Sequence, residues 1–245
     1  MLRILTEMRV PLAILVVVVV GSTGICLAQT CGAPVHDWPA GASHVVFTDG
    51  DRFFYGLGSA LVAAQAEETT TLETIDHLRP TRWPLVDAAV NENLAVVADW
   101  TGVTVLALDQ PGLPSAVGRT GIRGGIYAVR SAGSLAAAYW WDSDFMSYYI
   151  EGIEVIDLAE PSQPAVVGTI DLSPYAGATG TIQMIPDGLY YLVDEHLEFY
   201  DLSDPANPVL AAESDRPGWR SLLAIDRNTM VVDAGDALLF VDLSD

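Results

Sequence analysis

The chain of 245 residues carries 32 acidic and 11 basic residues, which gives a formal net charge of −21 at pH 7. This charge argues against nucleic acids and anionic membranes as ligands, because both bind surfaces rich in Lys and Arg. Since 51% of the residues are hydrophobic, the chain can bury a sizeable core, and its length suits one large all-β domain or two small domains.

The N-terminus has the residue order of a secretory signal peptide. Arg3 and Arg9 precede an apolar run, Leu12–Val20, and small residues follow that run. This order, with cleavage after Ala28, predicts residues 1–28 as a signal peptide. We therefore expect an extracytoplasmic protein (secreted, on the cell surface or periplasmic) without a transmembrane domain after cleavage. The alternative is a signal segment that is retained as an anchor.

A sequence repeat follows the short N-terminal segment 29–42. Each copy has an apolar run that ends near an aspartate, then a turn and a further apolar strand, and the copies recur about every 45 residues. The clearest copies are Val103–Gly118, Ile153–Gly168, Leu197–Ala211 and Leu238–Asp245. A second landmark, a hydrophobic strand that ends in a polar residue, precedes each copy. Two landmarks that advance together indicate a true repeat.

The second copy shows which strands make up one unit. Its β-branched runs predict strands at Leu85–Val90, Leu94–Asp99, Val103–Asp109 and Ser115–Arg119, separated by turns rich in Gly, Asn and Asp. Four antiparallel strands at this period are typical of a propeller blade, which buries its two faces by stacking against its neighbours. The sequence therefore predicts an all-β fold, a β-propeller of four-stranded antiparallel blades.

Five repeat units are visible, and the last is incomplete. The predicted units are 43–76, 77–123, 124–177, 178–218 and 219–245. The fifth unit lacks a fourth strand. Either the segment Cys31–Gly41 supplies that strand or the reading frame is truncated, and we favour truncation because the sequence stops within the motif.

The turn between the third and fourth strands carries two prolines and follows an aspartate. Proline cannot donate to a strand ladder, so a Pro-x-x-Pro element belongs in a turn or on an edge. The aspartates are Asp109, Asp157, Asp201 and Asp242. They recur too regularly to form one active site, and we interpret them as structural caps of the turn.

The segments VIDLAEPSQPAVVG and FYDLSDPANPVLAA resemble the LVIVD repeat of exported bacterial and archaeal proteins. The resemblance covers roughly residues 43–245 and is weakest in the first unit, where Gln65 stands in place of the aspartate. It implies a propeller on a secreted or surface protein, and it brings no catalytic residues that could be transferred to this chain.

The sequence contains no motif of a known catalytic site. Gly-x-Ser-x-Gly, His-Glu-x-x-His and Walker motifs are absent, and no two of the four histidines have metal-ligand spacing. We therefore expect no catalytic residues, no metal site and no cofactor. Calcium on the turn carboxylates Asp49–Asp51 or Asp142–Asp144 is an alternative; an Asx turn would equally account for these aspartates.

The hairpin loop of the third unit, Asp142–Gly152, is longer than its counterpart Trp100–Gly102. Extra loop length at one end of a scaffold is where binding residues concentrate. The candidate binding residues are Trp140, Trp141, Asp142, Asp144, Phe145, Tyr148 and Tyr149. They would form an exposed aromatic and acidic patch for a protein or a carbohydrate. Alternatively, the aromatic side chains fold back onto the blade.

Together these features predict a noncatalytic binding or scaffold module at the cell exterior, whose partner is a protein or a carbohydrate. One alternative is a propeller hydrolase, lactonase-like or glycosidase-like, with carboxylates that converge on the central channel. Another is a calcium-stabilised surface repeat.

Overall fold

The computed structural model describes residues 46–49, 52–67, 71–108, 113–143, 149–173, 180–226, 228–235 and 237–242. The predicted signal peptide and the N-terminal segment 29–42 lie outside these residues. In the described part of the chain, no helix is long and apolar enough to cross a membrane.

The described residues form five antiparallel sheets, each a simple meander. Sheet one contains β1 (Val46–Asp49), β2 (Arg52–Leu57), β3 (Ala60–Glu67) and β4 (Thr71–Leu78). Sheet two contains β5 (Leu85–Asn91), β6 (Leu94–Asp99), β7 (Gly102–Ala107) and β8 (Ser115–Gly121). Sheet three contains β9 (Gly125–Ala132), β10 (Leu135–Ser143), β11 (Tyr149–Asp157) and β12 (Ala165–Asp171). Sheet four contains β13 (Thr181–Ile185), β14 (Gly188–Val193), β15 (His196–Asp201) and β16 (Val209–Asp215), and sheet five contains β17 (Ser221–Ala224), β18 (Thr229–Asp233) and β19 (Leu238–Asp242).

The sheets are arranged as the blades of a β-propeller. The first strand of each sheet contacts the first strand of the next, in the order β1, β5, β9, β13, β17. These are the inner strands, and the fourth strand of each complete sheet lies at the outer edge, where β16 is mostly exposed. The prediction of four-stranded antiparallel blades is confirmed, and the described residues of the fifth unit form three strands.

Apolar residues at consecutive strand positions fill the spaces between neighbouring sheets. Successive side chains of a strand point to opposite faces, and Val96 and Val97 of β6 are both fully buried, on opposite sides. Val97 packs toward sheet one with Phe54, and Val96 packs toward sheet three with Ile156. Since the middle strands are covered on both faces, their sequences are continuously apolar.

The Pro-x-x-Pro turn of one blade docks on a glycine of the preceding blade. A Cβ atom on Gly118 would lie 2.2 Å from the carbonyl oxygen of Pro161 and 2.6 Å from Pro164 Cδ. A Cβ atom on Gly168 of β12 would likewise lie 2.1 Å from the carbonyl oxygen of Pro205. The glycine of the repeat therefore provides the space that the proline turn of the next unit occupies.

The strand register corrects the alignment of one repeated aspartate. Asp157 pairs with Ala165 at the start of β12, and Asp201 pairs with Val209 at the start of β16. The residue in the same register position of sheet two is Ala107, which pairs with Ser115. Asp109 follows β7 and lies outside the described residues. Its alignment with Asp157 was wrong, because the two apolar runs are alike but the strand pairing shows a shift of two residues.

The aspartates at the ends of β11 and β15 both accept a hydrogen bond from the turn that follows. Asp157 Oδ1 accepts from the backbone N–H of Ala159, and Asp201 Oδ1 accepts from that of Ser203, each at 2.8 Å. This is the geometry of an Asx turn. Asp242 is the last residue of β19.

Candidate functional site

One end of the propeller carries the turns between the second and third strands of each sheet. In sheet two this turn follows Asp99, and in sheet three Trp141 lies near the end of the strand that leads toward it. The inner strands of both sheets start at the same end, because Leu85 pairs with Asp99 and Gly125 pairs with Trp141. We call this end, with the β6–β7 and β14–β15 turns and the paired ends of β10 and β11 at Ser143 and Tyr149, the upper face.

A row of aromatic side chains crosses the upper face from sheet two to sheet four. Trp100 meets Trp141 edge-on, with ring centroids 6.2 Å apart, and Trp141 stacks on Tyr127 at 5.9 Å. Tyr127 then contacts Tyr139 at 5.1 Å, and Tyr139 contacts Tyr191 at 5.8 Å. We call these five residues the aromatic row. Trp100 is 49% exposed and Tyr127 is 40% exposed, whereas the two inner tyrosines are fully buried.

The aromatic row is held in place by a small residue and by a buried hydrogen bond. A Cβ atom on Gly125 would lie 3.0 Å from Trp141 Nε1 and 3.2 Å from Trp100 Cε3, so glycine allows the two indoles to approach. At the inner end, the Tyr139 hydroxyl donates to Glu151 Oε2 at 2.7 Å. Burial, followed by the hydrogen bond to Glu151, raises the pKa of Tyr139 far above its ordinary value. Tyr139 is therefore a neutral structural donor.

A cavity of about 340 Å³ opens next to the aromatic row. Its lining residues are Pro80, Thr81, Arg82, Trp83, Thr101 and Arg119. Trp83 is 50% exposed, and the Thr81 hydroxyl donates to its backbone carbonyl oxygen at 2.6 Å. Because Thr101 directly follows Trp100 in the chain, the cavity adjoins the exposed end of the aromatic row. We call this cavity the arginine pocket.

A buried carboxylate fixes one wall of the arginine pocket. Asp99 is fully buried, and its two oxygens accept hydrogen bonds from Arg119 Nη2 at 2.9 and 3.0 Å. Arg119 Nη1 donates to the Thr104 hydroxyl at 2.7 Å, and the backbone N–H of Thr101 donates to Asp99 Oδ1, also at 2.7 Å. Charge-assisted bonds of this kind hold a guanidinium in one orientation, so the pocket is preorganised.

A second carboxylate ties two inner strands together near the same end. Asp87 Oδ2 in β5 accepts hydrogen bonds from the backbone N–H of Val129 at 2.9 Å and from Arg130 Nη1 at 2.7 Å, both in β9. Asp87 Oδ1 accepts from the N–H of Ala88 at 2.9 Å. These bonds fix sheet two against sheet three, the pair of blades that presents the exposed part of the aromatic row.

The candidate residues predicted from the long third-unit loop have different positions in the structure. Trp141 belongs to the aromatic row and Asp142 is exposed. Trp140 is only 2% exposed and packs against Gly152, so its inclusion in a binding surface was wrong. Its indole lies against Gly152 of the neighbouring strand β11, and the guanidinium of Arg123 lies over the ring, 5.5 Å from the centroid.

The other loop candidates are largely outside the structural description. The backbone of Tyr149 pairs with that of Ser143 in the β10–β11 hairpin. The residues Asp144, Phe145 and Tyr148 lie outside the described residues, and so do Gly50 and Asp51 of the proposed calcium turn.

Sequence reasoning missed most of the residues that the structure brings together. Trp83, Trp100, Tyr127 and Arg119 come from four separate strands or turns of two sheets. Trp83 lies two residues before the predicted strand Leu85–Val90, and Trp100 directly follows the predicted strand Leu94–Asp99. This closeness to strand ends is the sequence signal for their position at the upper face. That Trp83 and Thr101 line one cavity depends on the strand register, which the sequence does not show.

The hydrolase alternative expects acidic groups or histidines to converge on the central channel. In the described part of the chain, a group of one histidine and two glutamates at metal-ligand distance lies on β15 and β16. These are the third and fourth strands of sheet four, away from the inner strands. This placement does not match a site in the channel.

Similarity to known proteins is confined to the fold. No protein-family model and no curated protein sequence matches the chain. Solved β-propeller structures are similar to it. The Pan2 WD40 domain of Neurospora crassa has a TM-score of 0.55 at 13% identity and covers 82% of this chain and 58% of that chain. Sqt1 of Saccharomyces cerevisiae has a TM-score of 0.58 at 9% identity, with coverages of 80% and 58%.

Hsv2p of Kluyveromyces lactis has a TM-score of 0.54 at 12% identity and covers 78% of this chain and 63% of that chain. The aligned region thus spans about three fifths of the length of these neighbours. At such low identity the likeness shows the β-propeller fold and carries no information on ligands.

Proposed function

We propose that this protein is a noncatalytic binding module that holds a polypeptide partner on its upper face, at the aromatic row and the arginine pocket. The observation that carries the proposal is the exposure of Trp100 and Tyr127, 49% and 40%, on either side of Trp141, next to an open cavity lined by Trp83, which is 50% exposed.

The residue types of this surface favour a protein as the partner. Trp, Tyr and Arg are the residues that most often dominate the binding energy of protein interfaces. Here Trp83, Arg82 and Arg119 line the pocket, and the exposed Trp100 precedes the lining residue Thr101 in the chain. Rigid aromatic rings lose little conformational entropy on binding, and Arg119 is already oriented by Asp99.

The charge of the pocket predicts the chemistry of the bound segment. The carboxylate of Asp99 neutralises the charge of the Arg119 guanidinium. The guanidinium of Arg82 therefore gives the pocket a local positive charge. At physiological ionic strength the Debye length is about 8 Å, and the many distant carboxylates of the chain are therefore largely screened. We expect a segment that places an acidic side chain in the arginine pocket and apolar side chains on the neighbouring indoles.

A random peptide library displayed on phage tests this proposal. The wild-type protein should select peptides that combine acidic and apolar residues, and the variants Trp83→Ala and Trp100→Ala should not retain them. Phe240→Ala is the matched control, because Phe240 is 41% exposed but lies in sheet five. Selected peptides that bind equally well to all variants would contradict the proposed surface. Binding confined to a glycan array would show that the partner is a carbohydrate.

We also propose that the protein acts outside the cytoplasm and carries LVIVD-type repeats. The support for export is the order of residues in 1–28, and the support for the repeat type is the docking of Pro-x-x-Pro turns on Gly118 and Gly168. Cell fractionation followed by N-terminal sequencing tests the first point. A mature protein that begins after Ala28 outside the cytoplasm is expected; an intact chain in the cytoplasm would contradict it.

A further inference from the structure

Sheet four carries a cluster of one histidine and three carboxylates on the paired strands β15 and β16. His196 Nε2 lies 3.8 Å from Glu198 Oε1 and 3.8 Å from Glu213 Oε2. On the other side of the ring, His196 Nδ1 lies 3.0 Å from Asp215 Oδ1. The strand register brings them together, because His196 pairs with Asp215 and Glu198 pairs with Glu213.

The cluster places two carboxylates directly opposite each other, and one of them is buried. Glu198 is 3% exposed, and like charges in directly opposed strand positions are destabilising. A buried carboxylate also requires a positive charge or a set of hydrogen bonds to offset its lost hydration. A cation close to the carboxylates of Glu198 and Glu213 would offset both effects.

Sheet two shows how the same strand positions look when the protein itself supplies the cation. Thr104 and Arg119 of β7 and β8 pair in the register position that Glu198 and Glu213 occupy in sheet four. Arg119 bonds the buried carboxylate of Asp99. In sheet four an acidic residue stands at the position of the arginine, and His196 lies between the carboxylates.

The side chains of the cluster have the supporting contacts that metal ligands have. A metal-bound histidine usually donates its other ring N–H to a carboxylate, as the contact of His196 Nδ1 with Asp215 allows. A metal-bound carboxylate is usually hydrogen-bonded as well, and Glu198 Oε2 accepts a hydrogen bond from the Tyr200 hydroxyl at 2.8 Å. His196 Nε2 lies 3.8 Å from Glu198 Oε1 and 3.8 Å from Glu213 Oε2, so the three atoms border one space.

We propose that His196, Glu198 and Glu213 bind a divalent transition-metal ion, Zn²⁺ first among them. The donor set of one imidazole nitrogen and two carboxylate oxygens suits zinc, whereas calcium prefers six to eight oxygen ligands. The three ligand atoms lie within 4.8 Å of one another. Ligands of a tetrahedral zinc, with bonds of about 2.1 Å, are about 3.4 Å apart. Rotation of the Glu213 side chain, which is 63% exposed, would bring its carboxylate nearer, and His196 Nε2 and Glu198 Oε1, now 3.8 Å apart, would approach by about 0.4 Å.

Such an ion would join the exposed edge strand β16 to β15 and would leave a fourth coordination position open to solvent. The site is distinct from the aromatic row and the arginine pocket. The outcome of a test of this site is therefore independent of the proposed binding function.

Isothermal titration calorimetry of Zn²⁺ into the metal-stripped full-length protein tests the site. We expect saturable binding in the low micromolar range or tighter, and loss of one bound ion per chain in His196→Ala and Glu198→Gln. Asp215→Asn, which weakens only the support of the histidine, should lower the affinity about 10- to 100-fold. With Co²⁺ as the probe, the wild-type protein should show the visible absorption of tetrahedral coordination, and His196→Ala should not.

Two controls separate this site from other Zn²⁺ binding. His77→Ala removes a different histidine and should bind as the wild type does; an equal loss in this variant would overturn the assignment. Thermal melts in chelator show whether each variant is folded, and Glu198→Gln preserves an acceptor for Tyr200. Unchanged stoichiometry and affinity in folded His196→Ala, binding only at millimolar Zn²⁺, or equal affinity for Ca²⁺ would each overturn the proposal.

Discussion

Substituting Gly168 by alanine should destabilise the protein, because the proline turn of the following blade occupies the space of its Cβ atom. That atom would lie 2.1 Å from the carbonyl oxygen of Pro205, whereas ordinary contacts begin near 3.4 Å. A backbone oxygen must therefore move by more than about 1 Å, and overpacking of this kind costs about 3 kcal/mol, the upper part of its usual range. Alanine lowers the entropy of the unfolded chain and returns about 0.4–1 kcal/mol.

The net loss of about 2 kcal/mol should lower the melting temperature by about 4–8 °C in a protein of this size. Thermal and urea unfolding followed by circular dichroism measure it. Gly121→Ala is the matched control: its nearest neighbour is the Thr101 carbonyl oxygen at 3.9 Å, so stability should be unchanged or slightly increased. If the two variants melt within about 1 °C of each other, the account of blade interlocking by proline and glycine is refuted.

Three further predictions concern buried polar groups. Arg119→Met leaves the carboxylate of Asp99 buried without its guanidinium and should cost about 3 kcal/mol in urea unfolding; an unchanged midpoint would contradict the role of this pair. Burial raises the pKa of Glu154 above its ordinary value of 4.5, so the protonated group favours the folded state. The stabilising effect of the protonated group is complete below pH 4.5 and is lost as the pH rises through the raised pKa. Glu154→Gln should therefore gain stability relative to the wild type as the pH rises from 4.5 to 7.5. A difference in unfolding free energy between the two proteins that does not change with pH would contradict this prediction. Asp87→Ala removes the acceptor of the Val129 N–H and should cost about 1–3 kcal/mol, with faster amide exchange in β9; protection equal to wild type would argue against the inter-blade bond.

Much of the fold could be predicted from the sequence, because each repeat unit shows the apolar strands and the turns of one blade. Consecutive apolar residues in the middle strands follow from burial on both faces, as Val96 and Val97 show. The observed strand β6 has the predicted bounds, Leu94–Asp99. The register was harder, since Asp109 lies next to a run that resembles the run before Asp157. The prolines of the two turns, aligned with each other, place Ala107 opposite Asp157, and the strand pairing gives Ala107 the same position.

The candidate site was less predictable because its residues meet across strands and sheets. The length of the loop after Trp141 predicts a binding surface near that residue, but the exposed aromatic surface also requires Trp100 from sheet two and Tyr127 from an inner strand. His196 and Glu213 have no local spacing typical of a metal site. They come together because β15 and β16 pair in one particular register, and a shift of one residue would place them on opposite faces.

The measurement that tests the central claim most directly is the dissociation constant of a phage-selected peptide for the wild type and for Trp100→Ala. The account predicts at least tenfold weaker binding by Trp100→Ala, a loss of about 1.4 kcal/mol or more, and an unchanged constant for the control Phe240→Ala. Equal dissociation constants for folded Trp100→Ala and wild type would contradict the assignment of the upper face as the binding surface.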